Sequence, residues 1–280
     1  LMSHSYKSPL ILTTTNLFFV CSFSIVKFLS SAVAIETIML FRFLAGPVFL
    51  IPFFILTKKP IIIKSYSLFI FRIFFGISAM SCLFLSFKYG QIGKSMLIFE
   101  CSTIWTLILG YIFYKNKPHY ISLLTIPFVF IGLYLVLQPQ SMTTFNQGDL
   151  FALLGSFFNT GVYITLKQLR YSHDTTTIVL ICYFFSALIV SIPAIISPPM
   201  ISLETIGYLI LMCSVGFLGQ LGMTLGFKFA SAGICSLLML SIVPLTTLSG
   251  ILFFGESYQP LVWLGIILIF SCLILISRWQ

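Results

Sequence analysis

The chain repeats itself at an offset of 140 residues, which is half of its 280-residue length. Lys27 aligns on Lys167 and Gly93 aligns on Gly233, with no gap needed. Further matched positions are Gly76 with Gly216, Phe87-Lys88 with Phe227-Lys228, Gly110 with Gly250 and Phe113 with Phe253. A duplication is the simplest cause of this pattern. We therefore predict two repeats, residues 1–140 and 141–280.

The composition places both repeats in a lipid bilayer. Hydrophobic residues make up 59% of the chain and charged residues only 8%, and the mean hydropathy is +1.11. Apolar runs long enough to cross about 30 Å of hydrocarbon as helices lie near residues 10–30, 35–56, 66–87, 94–114, 119–137, 149–169, 176–197, 204–226, 233–254 and 260–277. Because each repeat has an odd number of spans, the second repeat enters the bilayer from the opposite side. The predicted fold is all-α, with ten transmembrane helices in two inverted five-helix repeats.

Lysine and arginine are distributed unevenly between the two predicted faces of the membrane. Short loops rich in these residues stay on the cytoplasmic side. One face carries Lys7, Lys58, Lys59, Lys64, Lys115, Lys117, Lys167, Arg170, Lys228 and Arg278, whereas the other carries Lys27, Lys88 and Lys94. Both termini lie on the richer face, so we predict that both are cytoplasmic and that the protein resides in a bacterial inner membrane. The net charge of +9 follows from this bias, and nucleic-acid binding is disfavoured.

Metal, cofactor and enzyme chemistry have little support in the sequence. The seven cysteines lie inside predicted spans and none forms a CxxC pair, so disulfides and metal sites are disfavoured and no cofactor is predicted. His4, His119 and His173 lie at helix ends or in loops, and no HExxH or nucleophile motif occurs. An intramembrane enzyme is therefore disfavoured, as is a channel, because no span has a charge or carbonyl-filter pattern.

Three ionisable residues lie inside predicted spans, where each costs roughly 2.5–3.5 kcal/mol on insertion scales. Arg72 is near the start of its span, and we expect it to reach the membrane surface as an anchor. Arg42 lies deeper in its span. We expect it either to make a structural contact, or to face the ligand and take part in coupling. Glu100 is the most informative of the three, because its repeat counterpart is Leu240. It is predicted to be a counter-charge for a cationic substrate or a coupling proton carrier, with a buried pair to either arginine as the alternative.

Several polar or aromatic residues at mid-span depth are candidates for lining the same cavity as Glu100. These predicted substrate-binding residues are Asn16, Trp105, Asn159, Tyr163, Gln220 and Ser241. The amides have an alternative role in hydrogen bonds between helices. Proline and glycine indicate where helices bend or pack closely. Pro244 is a predicted gating position, and the stripe Gly216, Gly219, Gly222 and Gly226 predicts close helix packing.

The whole chain resembles the drug/metabolite transporter superfamily, EamA type. The resemblance rests on Ile25-Val26-Lys27, Phe41-Arg42-Phe43, Phe71-Arg72, and the C-terminal pattern Ala232-Gly233…Val243-Pro244-Leu245…Gly250…Gly255-Glu256. It implies a central cavity lined mainly by spans 1, 3, 4, 6, 8 and 9, with spans 5 and 10 at the periphery. It also implies that Glu256 is a structural residue at a helix end. Carriers of S-adenosylmethionine in this family have a broadly similar Phe-Arg-Phe and Arg-x-x-x-Gly layout.

These observations together predict a secondary transporter. Its substrate is expected to be a small polar or cationic organic metabolite, S-adenosylmethionine-like compounds among them, moved by alternating access with proton or exchange coupling. An exporter of amino acids or amphipathic amines is the alternative. The expected partners are the small-molecule substrate, the lipid bilayer and a coupling proton, and the protein is expected to be a monomer or homodimer.

Overall fold

The computed structural model describes residues 7–114, 120–137, 146–196, 202–256 and 260–278. Within these ranges the helices are α1 Lys7–Leu29, α2 Ile35–Thr57, α3 Tyr66–Tyr89, α4 Ile92–Phe99, α5 Ser102–Tyr114, α6 Tyr120–Leu137, α7 Gln147–Ser172, α8 Thr175–Ile196, α9 Leu203–Gly226, α10 Ala232–Met239, α11 Ile242–Phe254 and α12 Leu261–Arg278. Eight spans are long and apolar enough to cross a membrane, with α4–α5 and α10–α11 each counted as one. The 18-residue helices α6 and α12 complete the ten predicted spans. The predicted all-helical fold is confirmed, and the predicted repeat boundary at residue 140 lies outside the described residues.

The helices of the second half recur at the spacing of the sequence repeat. α10 lies 140 positions after α4, and α11 lies 140 positions after α5. Packing recurs in the same way, because α1 packs against α9 while the counterpart of α1, α7, packs against α3. α2 packs against its own counterpart α8, and α6 packs against α12. The halves are thus related by a pseudo-two-fold axis between α2 and α8, where the counterparts Phe43 and Tyr183 meet with ring centroids 5.4 Å apart.

Two spans are interrupted at equivalent positions. Glu100 and Cys101 separate α4 from α5, and Leu240 and Ser241 separate α10 from α11. At both breaks, backbone N–H groups donate to the carbonyl three residues earlier rather than four. Non-helical backbone at membrane depth is tolerated where protein buries it or where it lines a cavity. The breaks therefore mark the part of each span that faces the interior of the bundle.

Lys27 and Lys167, which are counterparts in the two repeats, make equivalent contacts. Lys27 Nζ donates hydrogen bonds to the carbonyl oxygens of Phe87, at 2.6 Å, and of Gly90 at the C-terminal end of α3. Lys167 Nζ donates to the carbonyl oxygen of Phe227 at 3.1 Å, at the end of α9. Helix C-termini leave carbonyls without partners and favour positive charge. The alignment of these lysines therefore reflects a structural contact.

Replacing Lys27 by methionine keeps the aliphatic stem and removes the ammonium group. Because hydrogen bonds to charged groups contribute about 1.5–3 kcal/mol, we expect Lys27→Met to lower the melting temperature of the detergent-purified protein by several degrees. Lys88→Met makes the same change at an exposed position near the end of α3 and is expected to leave the melting temperature unchanged. Equal melting temperatures for the two variants would contradict the capping role of Lys27.

The glycine stripe of α9 lies against α1. A Cβ at Gly219 would come within 2.8 Å of the Phe19 ring, and a Cβ at Gly226 within 2.5 Å of the Leu12 side chain. The predicted close packing is confirmed.

Glu256 contacts the start of another helix. The backbone N–H of Ile92, which starts α4, donates to Glu256 Oε1 at 3.0 Å. This carboxylate thus lies at a helix end, as the family resemblance implied.

Candidate functional site

A narrow cavity lies at the centre of the helix bundle. Among the described residues, its lining comes from α1 to α4 and from α7 to α11. The space inside it that water-sized groups can occupy is about 50 Å³. Spans 2 and 7, which the family resemblance did not include, contribute because α2 and α8 cross at the pseudo-two-fold axis. Five of the predicted site residues line this cavity: Arg42, Glu100, Asn159, Tyr163 and Gln220.

Glu100 lies at the break between α4 and α5. Its side chain is 1% exposed, and the Tyr163 hydroxyl on α7 donates to its two carboxyl oxygens at 3.3 and 3.4 Å. Neither of the two ion pairs found among the described residues includes Glu100. The buried pair with Arg42 or Arg72 that the sequence left open is therefore not formed. An ionised carboxylate at this depth needs a cation or a proton to come to it.

Two asparagine side chains hold the broken spans in place. Asn159 Nδ2 on α7 donates to Ser102 Oγ at 2.9 Å, at the start of α5. Asn16 Nδ2 on α1 donates to the Met239 carbonyl at 3.1 Å and to Ser241 Oγ at 2.7 Å. Asn16 and Ser241 lie outside the cavity lining because they are used at the break between α10 and α11. Of the two amides, only Asn159 also faces the cavity.

Trp105 and Pro244 lie outside the cavity lining as well. Trp105 is half-buried and packs against Phe157 on α7, with ring centroids 5.0 Å apart. Pro244 occupies the first turn of α11, where a proline costs no intrahelical hydrogen bond. It therefore favours the start of α11 after the break, and it does not kink the helix.

Arg42 is fully buried on α2, with 1% of its side chain exposed. Its Nη1 donates to Ser22 Oγ at 2.9 Å, and its guanidinium carbon lies 5.5 and 6.0 Å from the ring centroids of Phe19 and Phe23. Gly216 on α9 makes room for it, since a Cβ there would overlap the guanidinium group. Helix α9, the phenyl rings and the serine together fix this cation at the cavity wall.

Arg72 also lines the cavity, with 6% of its side chain exposed. The predicted membrane-surface anchor is wrong, because the side chain turns into the bundle, where a Cβ at Gly76 would lie 2.9 Å from its Nη1. Tyr183 on α8 lines the same cavity and interacts electrostatically with both Arg42 and Arg72. Tyr183 was not identified from the sequence, where it is one more aromatic residue in a long apolar run.

All three charged residues of the cavity come from the first repeat. Their counterparts 140 positions later are Cys182, Met212 and Leu240. Within the described residues, no three His, Cys, Asp or Glu side chains lie together as a metal site would require. The duplicated scaffold therefore contains a cavity in which one half supplies the charged groups, and the other half supplies apolar residues and uncharged polar side chains such as Asn159, Tyr163 and Gln220.

Comparison with known proteins agrees with this architecture. A model of the EamA-like transporter family matches the chain twice, over residues 7–138 and 146–278. Two proteins named uncharacterized transporter, from two strains of Helicobacter pylori, are 26% identical to it over 189 and 188 residues, which is 63% of this chain. The chain spans 63% of the length of these curated relatives.

A solved crystal structure is similar over nearly the whole molecule. The similarity covers 98% of this chain and 99% of the other, with a TM-score of 0.78 and 13% sequence identity. At this identity the likeness establishes the fold alone. The family match and the names of the relatives point to transport rather than to catalysis.

Proposed function

Because the chain belongs to the EamA-like transporter family, we propose that it is a secondary transporter that moves a small polar organic metabolite by alternating access. It is a multi-pass integral membrane protein. The distribution of lysine and arginine along the sequence supports an orientation with both termini in the cytoplasm of a bacterial cell.

The observation that carries the proposal is the position of Glu100. A buried acid at the break of a transmembrane helix, facing a cavity between two inverted halves, is the arrangement in which transporters bind substrates and coupling ions. Tyr163 reaches Glu100 from α7 of the second half. The acid therefore lies between the halves, where a change in their relative position would change its surroundings.

The packing of the helices supports a rocking motion of the two halves. The equivalent pairs α1–α9 and α3–α7 each join a helix of one half to a helix of the other. These pairs are related by the pseudo-two-fold axis, so each pair can take up the packing that the other pair has now. This exchange would open the cavity to the other side of the membrane. Such exchange requires no covalent or metal chemistry, and Glu100 would release its proton or its cationic partner as its surroundings change.

The proposal is tested with purified protein in detergent and in proteoliposomes. A ligand that binds only the folded state raises its stability by RT ln(1 + [L]/Kd), so a panel of cationic, zwitterionic, anionic and neutral metabolites, S-adenosylmethionine included, is screened by melting temperature. We expect the stabilising compounds to show saturable, counter-ion-dependent flux in proteoliposomes. Non-saturating flux would indicate a channel, and stabilising compounds that are chemically converted rather than moved would indicate an enzyme.

A further inference from the structure

We propose that Arg42 and Arg72, which both line the cavity, form an oxyanion subsite that binds a carboxylate or phosphate group of the transported metabolite. The inference rests on the proposed function, since it assigns a substrate class to the same cavity. It depends on three properties of these arginines: neither is in an ion pair among the described residues, some of their N–H groups lack acceptors, and both side chains are buried in the cavity lining.

The two positive charges are not neutralised within the described part of the protein. The ion pairs there join Lys59 to Asp174 and Lys94 to Asp149. Arg42 and Arg72 are 1% and 6% exposed, so bulk water screens neither of them. Removing an unpaired cation from water is costly. Two such cations in the lining of one cavity are destabilising while the cavity is empty, and an anion that enters offsets this cost.

Some of the guanidinium N–H groups of the two arginines also lack hydrogen-bond acceptors. Nε and Nη2 of Arg42 and Nε of Arg72 are buried without a partner. The bond from Arg42 Nη1 to Ser22 uses only one side of the Arg42 fork. An arginine presents its donors in a planar fork that fits two oxygens of one carboxylate or phosphate. Unused donors of this geometry favour an oxyanion, which can accept two hydrogen bonds at once.

The guanidinium group of Arg42 is held in place before a ligand arrives. Phe19 and Phe23 lie beside Arg42, and Gly216 and Gly76 leave the space that the two guanidinium groups occupy. A preorganised cation loses little conformational entropy on binding. Tyr183 lines the same cavity and interacts electrostatically with both arginines.

The cavity lining also contains a carboxyl group that forms no ion pair with these arginines. Glu100 is engaged by Tyr163 on α7, whereas the arginines lie on α2 and α3. A purely cationic metabolite would leave both guanidinium groups unpaired and would be repelled by them. The substrate class that fits is therefore an organic oxyanion, with its polar or positively charged end toward Glu100.

The test measures the melting temperature of the detergent-purified full chain with three probes, namely succinate, glycerol 3-phosphate and choline, against potassium chloride at equal ionic strength. We expect succinate or glycerol 3-phosphate to raise the melting temperature of the wild type by about 2 °C or more, and choline to have no such effect. The response should require at least roughly tenfold more ligand in Arg72→Gln and in Arg42→Gln. Lys228→Gln, which removes one charge at an exposed position, should respond as the wild type does.

A structural role for Arg72 predicts a different result. Because Arg72 is in no ion pair and its Nε has no acceptor among the described residues, Arg72→Gln should not lower the melting temperature of the ligand-free protein. A lowered ligand-free melting temperature together with an unchanged response to the probes would overturn the subsite. If Arg42→Gln does not fold, Arg42→Lys keeps the charge while removing the fork, and it should show the same weakened response.

Further outcomes separate the carboxylate from the phosphate and the subsite from the transporter proposal. Stabilisation by succinate alone assigns a carboxylate, and stabilisation by glycerol 3-phosphate alone assigns a phosphate. If neither probe differs from potassium chloride in the wild type, the subsite is wrong. If proteoliposomes take up a metabolite equally well with both arginines replaced, the subsite fails and the transporter stands. If oxyanions stabilise the wild type through these arginines but no compound is transported, the transporter proposal fails and the subsite stands.

Discussion

Glu100→Gln is expected to lower the rate of transport by roughly tenfold or more, which corresponds to ~1.4 kcal/mol, while leaving the protein folded. Glutamine has nearly the same shape and still accepts a hydrogen bond from the Tyr163 hydroxyl. It can neither carry a proton through the cycle nor balance a positive charge. Because the ionised form of Glu100 has no cation in the described structure, removing the charge takes away no ion pair.

The measurement is initial uptake into proteoliposomes at several pH values, together with the melting temperature. Glu204→Gln is the matched control, since it makes the same change on an exposed side chain in the first turn of α9, and it should keep wild-type transport. Normal, pH-dependent uptake by Glu100→Gln would remove Glu100 from the mechanism. If cationic and zwitterionic compounds no longer raise the melting temperature of Glu100→Gln, while uptake keeps its pH dependence, Glu100 is a counter-charge. If only the pH dependence of uptake is lost, Glu100 is the proton site.

Gly46→Ala is expected to destabilise the fold by roughly 1–3 kcal/mol through overpacking. α2 and α8 cross at Gly46, and an added Cβ would overlap the Cβ of Tyr183 and lie 2.8–2.9 Å from two of its ring carbons. The overlapped atom is attached directly to the backbone of α8, so no side-chain rotation relieves the contact. The helices must move apart at the pseudo-two-fold axis, and the melting temperature should fall by several degrees.

Gly207→Ala provides the matched control for this prediction. Gly207 is also inside a helix, α9, and a Cβ there meets nothing within 4 Å. Because alanine is favoured over glycine in helices by about 1 kcal/mol, this variant should be as stable as the wild type or more stable. If Gly46→Ala also gains stability, the close crossing of α2 and α8 is not required for the fold, and the position of Tyr183 beside the arginines loses its structural basis.

Much of the fold could be predicted because membrane insertion depends on local sequence. Runs of about 20 apolar residues specify spanning helices without reference to the rest of the chain, and an odd number of spans in each repeat specifies the inversion. The stripe of Gly216, Gly219, Gly222 and Gly226 likewise predicted a close helix contact. The assignment of Glu100 to the cavity relied on a comparison within the chain, since its counterpart is Leu240.

The cavity itself was only partly predictable. Asn16, Ser241, Trp105 and Pro244 have the depth and polarity of lining residues, but they are used in helix contacts or at the start of a helix. Depth in a span says how far a residue lies from water, and it does not say which neighbouring helix the residue faces. Arg72 shows the same limit, because a residue near the end of a span can turn either toward the lipid surface or toward the bundle.

The sequence by itself determined the membrane class, the ten spans, the duplication and the presence of three costly charges, because each of these follows from local hydropathy or from comparison of positions within the chain. Only the tertiary structure decided that Arg42 and Arg72 line one cavity, that Glu100 bonds with Tyr163 and forms no ion pair with an arginine, and that Asn16 holds a broken helix. These relations depend on the rotation of each helix about its axis and on which helices meet at the pseudo-two-fold axis. Both are set by long-range packing between the halves, where glycine positions permit close approach.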